Sequence, residues 1–206
     1  MKFDPKKELD SYRARRGVFE LVSVPRMQYL MIDGHGDPNT ATAYADALAT
    51  LYPVAYKLKF FSKRELDRDY VVGPLEALWW SADMAAFTSA RDKSRWDWTA
   101  MIVVPDWLTD DHVEAARSTV ERGGGAPLLG ELRCDCLDEG LAVQTLHIGS
   151  YDDEADVLAA MHDDFIPSHG LAMSGLHHEI YLSDPRRVAA SKLRTILRQP
   201  VVLVAS

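Results

Sequence analysis

Apolar and polar residues follow one another along the chain in stretches that predict strands separated by helices. Residues 19–32 alternate loosely and end in a dense turn signal at residues 33–39, which predicts a strand followed by a loop. Residues 40–59 carry apolar side chains at helical spacing. Pro53 lies inside this helical stretch, and we expect it to bend the helix or to lie in its last turn.

The patterning continues to the C-terminus. A helix is predicted over residues 109–122, because Thr109 is a suitable N-cap residue, acidic residues follow it, and three glycines end the stretch. Further strands are predicted at residues 71–80, 96–104, 142–148, 176–182 and 196–204, and further helices at residues 155–165 and 185–192.

The order of these elements suggests an internal duplication. A strand, a glycine-containing turn, a helix and a strand with a central glutamate occur once in residues 17–107 and again in residues 108–206. We therefore expect an α+β fold made of a duplicated module within one domain, residues 1–206, although the two halves share little sequence identity. Such a duplication would place a ligand cleft at the junction between the halves.

Two glutamates lie inside stretches that otherwise have the composition of buried strands. They are Glu76, followed by Leu78 and Trp80 on the same strand face, and Glu179, which shares its face with His177 and Tyr181. A carboxylate is costly to bury unless it is paired, hydrogen-bonded or neutralised. Two such strands predict a pocket that collects both glutamates, Trp80, Tyr181 and one of the tryptophans Trp96 and Trp98.

Aromatic walls and a carboxylate suit flat, apolar and often cationic molecules. Each cation contact with an aromatic face contributes about 0.5–2 kcal/mol, and the carboxylate supplies the counter-charge or acts as a general base toward water. The alternative is an ordinary core in which each glutamate is bound by a nearby arginine or backbone amide. Two glutamates at corresponding positions, flanked by tryptophan and tyrosine, favour the pocket.

Charge and composition exclude several classes of function. The net charge of −8 argues against binding to a nucleic-acid backbone. Neither a signal peptide nor an apolar run of bilayer length is recognisable, and the two cysteines, Cys134 and Cys136, give no disulfide framework. We therefore expect a cytoplasmic protein without membrane partners. Histidine and serine motifs of metal sites and serine hydrolases are missing, so neither a metal nor a cofactor is expected.

Four stretches carry a family resemblance: residues 29–39, residues 73–80, residues 96–106, and residues 177–185 with the tail to Val201. They include the motifs Leu-Glu-x-Leu-Trp-Trp and Glu-Ile-Tyr-Leu-x-Asp-Pro, with Ala77 standing where glycine is expected. The chain resembles the GyrI-like small-molecule-binding family in its stand-alone form. This family is related to the effector-binding domains of multidrug-responsive regulators.

The resemblance implies two β-α-β-β modules joined into one antiparallel sheet, with helices packed on one side and a central ligand cleft. In the related regulators a DNA-binding helical domain precedes the fold. Because the first strand is predicted near residue 19, we expect no such domain here. The implied ligands are bulky, planar and often cationic.

Some stand-alone relatives hydrolyse cyclopropane-bearing DNA-alkylating compounds, which implies a hydrolase that gives xenobiotic resistance. By this resemblance Glu179 and Glu76 are the acid/base candidates. The candidate ligand-binding residues are Trp80, Trp98, Tyr181, His177 and Trp96, with Tyr151 and Tyr56 as weaker candidates. The alternative is a non-catalytic protein that sequesters drugs or binds a partner protein such as a topoisomerase. The oligomeric state is left open, with a homodimer as one alternative.

Overall fold

The computed structural model describes residues 2–82 and 92–204, which form a mixed α+β structure with antiparallel strands. The strands are β1 (Glu20–Val24), β2 (Met27–His35), β3 (Leu75–Trp80), β4 (Asp97–Val104), β5 (Arg133–Leu137), β6 (Gly140–Ile148), β7 (Leu171–Met173), β8 (His177–Tyr181) and β9 (Arg194–Leu203). The α-helices are α1 (Pro5–Glu8), α2 (Thr42–Glu65), α3 (Asp110–Arg122), α4 (Ala155–Ala159) and α5 (Ile166–Ser168). The predicted fold class is confirmed.

The chain divides into two compact units. The first contains residues 1–8 and 27–137, and the second contains residues 9–26 and 138–206. The helix α3 and the strand β5 thus belong to the first unit, although the sequence halves assigned residues 108–137 to the second. The internal duplication stays a prediction.

The first unit is an antiparallel sheet in the order β3-β4-β2-β5, with α2 packed on one face. The helix α2 continues through Pro53 to Glu65, beyond the predicted end at residue 59, so Pro53 lies inside the helix and not in its last turn. Leu51 and Leu58, on either side of the proline, are fully buried. Their burial outweighs the backbone hydrogen bond that a proline removes.

Residues 19–32 form two strands rather than the one that alternation predicted. The first, β1, pairs with β6 in the second unit, whereas β2 pairs with β4 and β5 in the first. Pro25 lies between them. It lacks the amide hydrogen that would continue the ladder, so the chain can change partners at this point.

One further prediction needs correction, and two short strands were not predicted. The helix predicted over residues 185–192 is replaced by turns and the short 3-10 helix Ala190–Lys192. Asp184 explains this, because its side chain accepts hydrogen bonds from the amide and guanidinium of Arg186 and so favours a turn. The short strands β5 and β7 were not predicted, since neither has a run of alternating apolar residues long enough to indicate a strand.

The second unit is an antiparallel sheet in the order β1-β6-β9-β8, and β7 also pairs with β9. A helical segment covers one face of this sheet. It consists of the 3-10 turn Tyr151–Glu154, α4, the π-helix Ala160–Phe165 and α5. The core beneath it is formed by Val143, Met161, Ile166, Leu171, Leu197 and Val201.

The other face of this sheet carries a buried ionic cluster centred on Arg198, whose side chain is fully buried. Arg198 Nη1 donates to Glu139 Oε2 at 2.7 Å, and Arg198 Nε donates to Gln144 Oε1 at 3.2 Å. His178 Nδ1 lies 3.0 Å from Glu139 Oε1. The guanidinium also donates to the carbonyl of Ser11, so the cluster attaches the N-terminal segment to the sheet.

The cluster makes the stability of the protein depend on pH. Burial alone would raise the pKa of Glu139, but the charges and hydrogen bonds of His178 and Arg198 lower this pKa to about 2. A carboxyl with a lowered pKa stabilises the folded state fully above its unfolded value of about 4.5. We expect the free energy of unfolding to fall as the pH drops from about 4.5 toward 2, measured by urea denaturation at several pH values.

Replacing this carboxylate tests the prediction directly. Glu139→Gln leaves Arg198 buried without its counter-charge, which should lower the free energy of unfolding by about 3–5 kcal/mol and remove this part of the pH dependence. The control is Glu20→Gln, which removes the half-exposed ion pair with Arg15 and should cost at most about 1 kcal/mol. Equal losses in the two variants would contradict the role given to the cluster.

Gly34 allows a tryptophan to lie directly on the β2 backbone. A Cβ added at this position would come within 2.1 Å of the Trp98 ring, so Gly34→Ala should lower the free energy of unfolding by about 1–3 kcal/mol. Urea denaturation measures the loss. Gly130→Ala is the control, because no atom lies within 4 Å of a Cβ added there, and a loss as large in Gly130→Ala would refute the steric explanation.

Candidate functional site

The strand β8 presents Glu179 to the helical segment of the second unit. Glu179 pairs with Leu197, a member of the core beneath that segment. His177 and Tyr181 are two residues away on either side, so they share its face. The neighbours His178 and Ile180 point to the opposite face, where His178 joins the ionic cluster.

Both oxygens of the Glu179 carboxylate have a polar neighbour on the same strand. The side chain is 11% exposed, Tyr181 Oη donates to Oε2 at 2.7 Å, and His177 Nε2 lies 3.4 Å from Oε1. A carboxylate oxygen accepts hydrogen bonds, so the tyrosine hydroxyl is the donor in this contact. Neither an arginine nor a backbone amide, as the ordinary-core alternative required, accounts for these two contacts.

Tyr151 adds a second aromatic ring to the group of side chains around Glu179. Its ring meets the Tyr181 ring edge-on, with 5.5 Å between the centroids. Burial, followed by the negative charges of Glu154, Glu179 and Asp184, raises the pKa of Tyr151 to about 12. Tyr151 therefore keeps its hydroxyl proton near neutral pH and remains a hydrogen-bond donor.

Two residues of the cluster were not predicted as site residues from the sequence. Glu154 is buried at the end of the 3-10 turn. His162, in the π-helix, brings its ring to 5.8 Å from the His177 ring at an angle of 82°. Burial, and then the neighbouring His177, lowers the pKa of His162 to about 4. Glu154 lies in the predicted turn before the helix over residues 155–165, and His162 lies within that helix, where apolar spacing indicates only a core-facing side.

In the first unit Glu76 is fully buried on the sheet face that points away from α2. It pairs with Met101, while Trp79, on the other face of β3, pairs with Trp98. The Trp79 ring stacks on Tyr44 of α2, with 5.9 Å between centroids, which assigns that face to the helix. Leu78 and Trp80 alternate with Trp79, so they share the face of Glu76 as predicted.

The register separates both predicted tryptophans from Glu76. Trp98 is fully buried against Tyr44, with ring centroids 4.9 Å apart, and its Nε1 donates to the carbonyl of Gly36. Trp96 meets the Trp79 ring edge-on at 5.7 Å. The prediction that one of them shares a pocket wall with Glu76 was therefore wrong, because these rings pack on the helix-covered face of the sheet.

The weaker candidate Tyr56 lies on α2 and is 48% exposed, with its ring 6.5 Å from that of Phe60. The structure does not bring it to the sheet face that carries Glu76. That face instead holds a polar group that the sequence did not reveal. Asp33 accepts hydrogen bonds from Thr99 Oγ1 at 2.6 Å and from Arg133 Nη1 at 2.7 Å.

Comparison with known proteins identifies the family. The sequence model of the GyrI-like small molecule binding domain matches residues 18–202. The chain belongs to the GyrI-like family. Its match spans the strands β1 to β9, so both units are included, and the resemblance predicted from four short stretches is confirmed.

Two solved structures resemble the chain over nearly its whole length. A crystal structure of a hydrolase from Listeria innocua is 35% identical, with a TM-score of 0.85, and the alignment covers 98% of this chain and all of that one. An uncharacterized conserved protein from Listeria innocua is likewise 35% identical, with the same coverage and a TM-score of 0.88. No curated protein matches the chain significantly.

A more distant structure shares the fold alone. The C-terminal domain of EcmrR is 12% identical over 91% of this chain and 98% of its own, with a TM-score of 0.57.

Two further properties concern residues 2–82 and 92–204. Within these ranges the helices are too short or too polar to cross a membrane. The same ranges contain no group of three or more His, Cys, Asp or Glu side chains that could hold a metal ion.

The hydrogen bond from Tyr181 to Glu179 can be tested by Tyr181→Phe, which removes only the hydroxyl. A hydrogen bond to a charged acceptor contributes about 1.5–3 kcal/mol, so we expect a loss of that size in urea denaturation. Tyr56→Phe removes a hydroxyl from an exposed helix position and should change the free energy of unfolding by less than about 0.5 kcal/mol. Similar values for the two variants would show that the hydroxyl of Tyr181 is not bound to a charged group.

Proposed function

We propose that this GyrI-like protein binds bulky, planar and often cationic compounds and hydrolyses electrophiles that carry a cyclopropane ring. The observation that carries the proposal is the Glu179 carboxylate, which is almost buried, accepts a hydrogen bond from Tyr181 and lies 3.4 Å from His177 Nε2, with the ring of Tyr151 packed against that of Tyr181. The similarity of this chain to a Listeria innocua hydrolase, at 35% identity over nearly the whole chain, supports an enzymatic function.

A carboxylate in this setting is suited to act as a general base. It would take a proton from water while the water oxygen forms a bond to one ring carbon. The strained carbon–carbon bond breaks, and its electron pair moves into the electron-withdrawing group attached to the ring, which then takes up a proton. The net reaction adds one water molecule, so neither an oxidant nor a metal is needed to balance it.

The aromatic residues would supply affinity. Tyr151 and Tyr181 present two rings next to a negative charge, an arrangement that favours cationic and planar molecules by about 0.5–2 kcal/mol for each contact. Burial and neighbouring carboxylates keep the hydroxyl of Tyr151 protonated near neutral pH. Glu76 and Trp80, which share one face of β3, remain proposed ligand contacts.

Conservative replacement of each glutamate tests the proposal. Glu179→Gln keeps the size and the hydrogen-bonding groups but cannot accept the proton, so turnover should fall about 10²- to 10⁴-fold. The assay is mass spectrometry of a cyclopropane-bearing alkylating agent in ¹⁸O-labelled water, which shows whether water oxygen enters the product. Glu121→Gln, an exposed position on α3, is the matched control and should hydrolyse like the wild type.

Binding is measured separately by the fluorescence of a rhodamine-type cation. Glu76→Gln should weaken this binding if Glu76 is a ligand contact, and should reduce turnover less than Glu179→Gln does.

Wild-type turnover and binding in both variants would overturn the proposal. Binding that depends on Glu179 without any product from the wild type would leave a drug-sequestering protein. Effects on a partner such as a topoisomerase that survive both replacements would favour the accessory role.

A further inference from the structure

Two buried polar atoms lie close to the Glu179 site without a hydrogen-bond partner among the residues that the structure describes. They are Nε2 of His162 and Oγ1 of Thr195. The His162 ring contacts His177, and Thr195 lies directly across the sheet from Tyr181. One such atom is therefore close to each of the two residues, His177 and Tyr181, whose side chains lie next to the carboxylate. Buried polar atoms without a protein partner usually bind an ordered water or a ligand.

The backbone around His162 also indicates a functional position. His162 lies in the π-helix Ala160–Phe165, a conformation that is rare and is frequently found at functional sites. Met161 and Ile166, which flank it, are buried in the core of the second unit. Their packing fixes the helix on the sheet, so the direction of the His162 side chain is determined by the fold.

We propose that His162 is a positioning residue that holds a buried water molecule against the Glu179 carboxylate. The water would accept or donate a hydrogen bond at His162 Nε2 and donate one to Glu179, next to His177. The inference rests on the proposed function, because this is the water that hydrolysis would consume. His162 forms no covalent bond and carries no net proton; the proton of the water goes to Glu179 as its oxygen attacks the ring carbon.

The protonation state of His162 agrees with this role. Burial, and then His177, holds the pKa of His162 at about 4, so its ring is neutral near pH 7. A neutral imidazole has one donor and one acceptor nitrogen. It can hold a water molecule without placing a positive charge beside the carboxylate that must accept a proton.

The first test is the water itself. A high-resolution crystal structure of the wild-type protein should show an ordered water within about 3 Å of both His162 Nε2 and a Glu179 carboxylate oxygen. The same water should be missing in His162→Phe, which keeps a flat ring but has no nitrogen. Failure to find this water in the wild type would overturn the inference whether or not the protein is a hydrolase.

The second test separates positioning from packing. His162→Phe keeps a flat ring and removes a buried nitrogen that has no hydrogen-bond partner among the described protein groups, so its unfolding midpoint should equal or exceed that of the wild type. Its kcat for the cyclopropane substrate should nevertheless fall about 10- to 100-fold, with KM changed by less than about twofold. His162→Gln should recover part of kcat, because its amide can again bind water.

His169→Phe is the matched control. It makes the same replacement at the end of the same helical segment, where His169 is exposed and stacks on Phe165, and should leave kcat unchanged. Wild-type kcat in His162→Phe, or parallel losses of stability and kcat, would overturn the positioning role. Full turnover in Glu179→Gln would instead refute the proposed function, while the crystallographic result on the water would stand by itself.

Discussion

The second unit depends on one buried guanidinium. Arg198 lies in β9 and bonds Gln144 on β6, Glu139 before β6, and the Ser11 carbonyl in the N-terminal segment. A buried charge is tolerated only when its hydrogen bonds are complete. The cluster can therefore be complete in only one register of these elements. In that register β9 lies between β6 and β8, and the N-terminal segment is bound to one face of the sheet through the Ser11 carbonyl.

This register determines which side chain of β8 reaches the candidate site. His178 points to the ionic cluster and Glu179 to the helical segment. A shift of one residue would exchange the two faces. It would separate His178 from Glu139 and put Glu179 beside Arg198, so the bonds of the cluster also specify the position of the catalytic candidate. A strand with polar partners on only one face would have only one set of bonds to specify its register.

Alternation within single strands allowed part of the site to be predicted from the sequence. It correctly grouped Glu179 with His177 and Tyr181, because a period of two applies along any strand. Alternation alone could not place Trp98 relative to Glu76. Which faces of two neighbouring strands coincide depends on the register between them, and the sequence of a single strand does not determine that register. His162 was missed because the spacing of apolar residues over 155–165 predicts an ordinary helix and does not reveal the π-helix that contains His162.

The two faces of β8 also differ in how completely their polar groups are paired. Around Arg198 the guanidinium reaches a carboxylate, an amide oxygen and a backbone carbonyl, as a structural cluster requires. Beside Glu179, the buried atoms His162 Nε2 and Thr195 Oγ1 have no partner in the described part of the chain. Because unpaired polar atoms are destabilising, the two atoms beside Glu179 are favourable positions for an ordered water or a ligand.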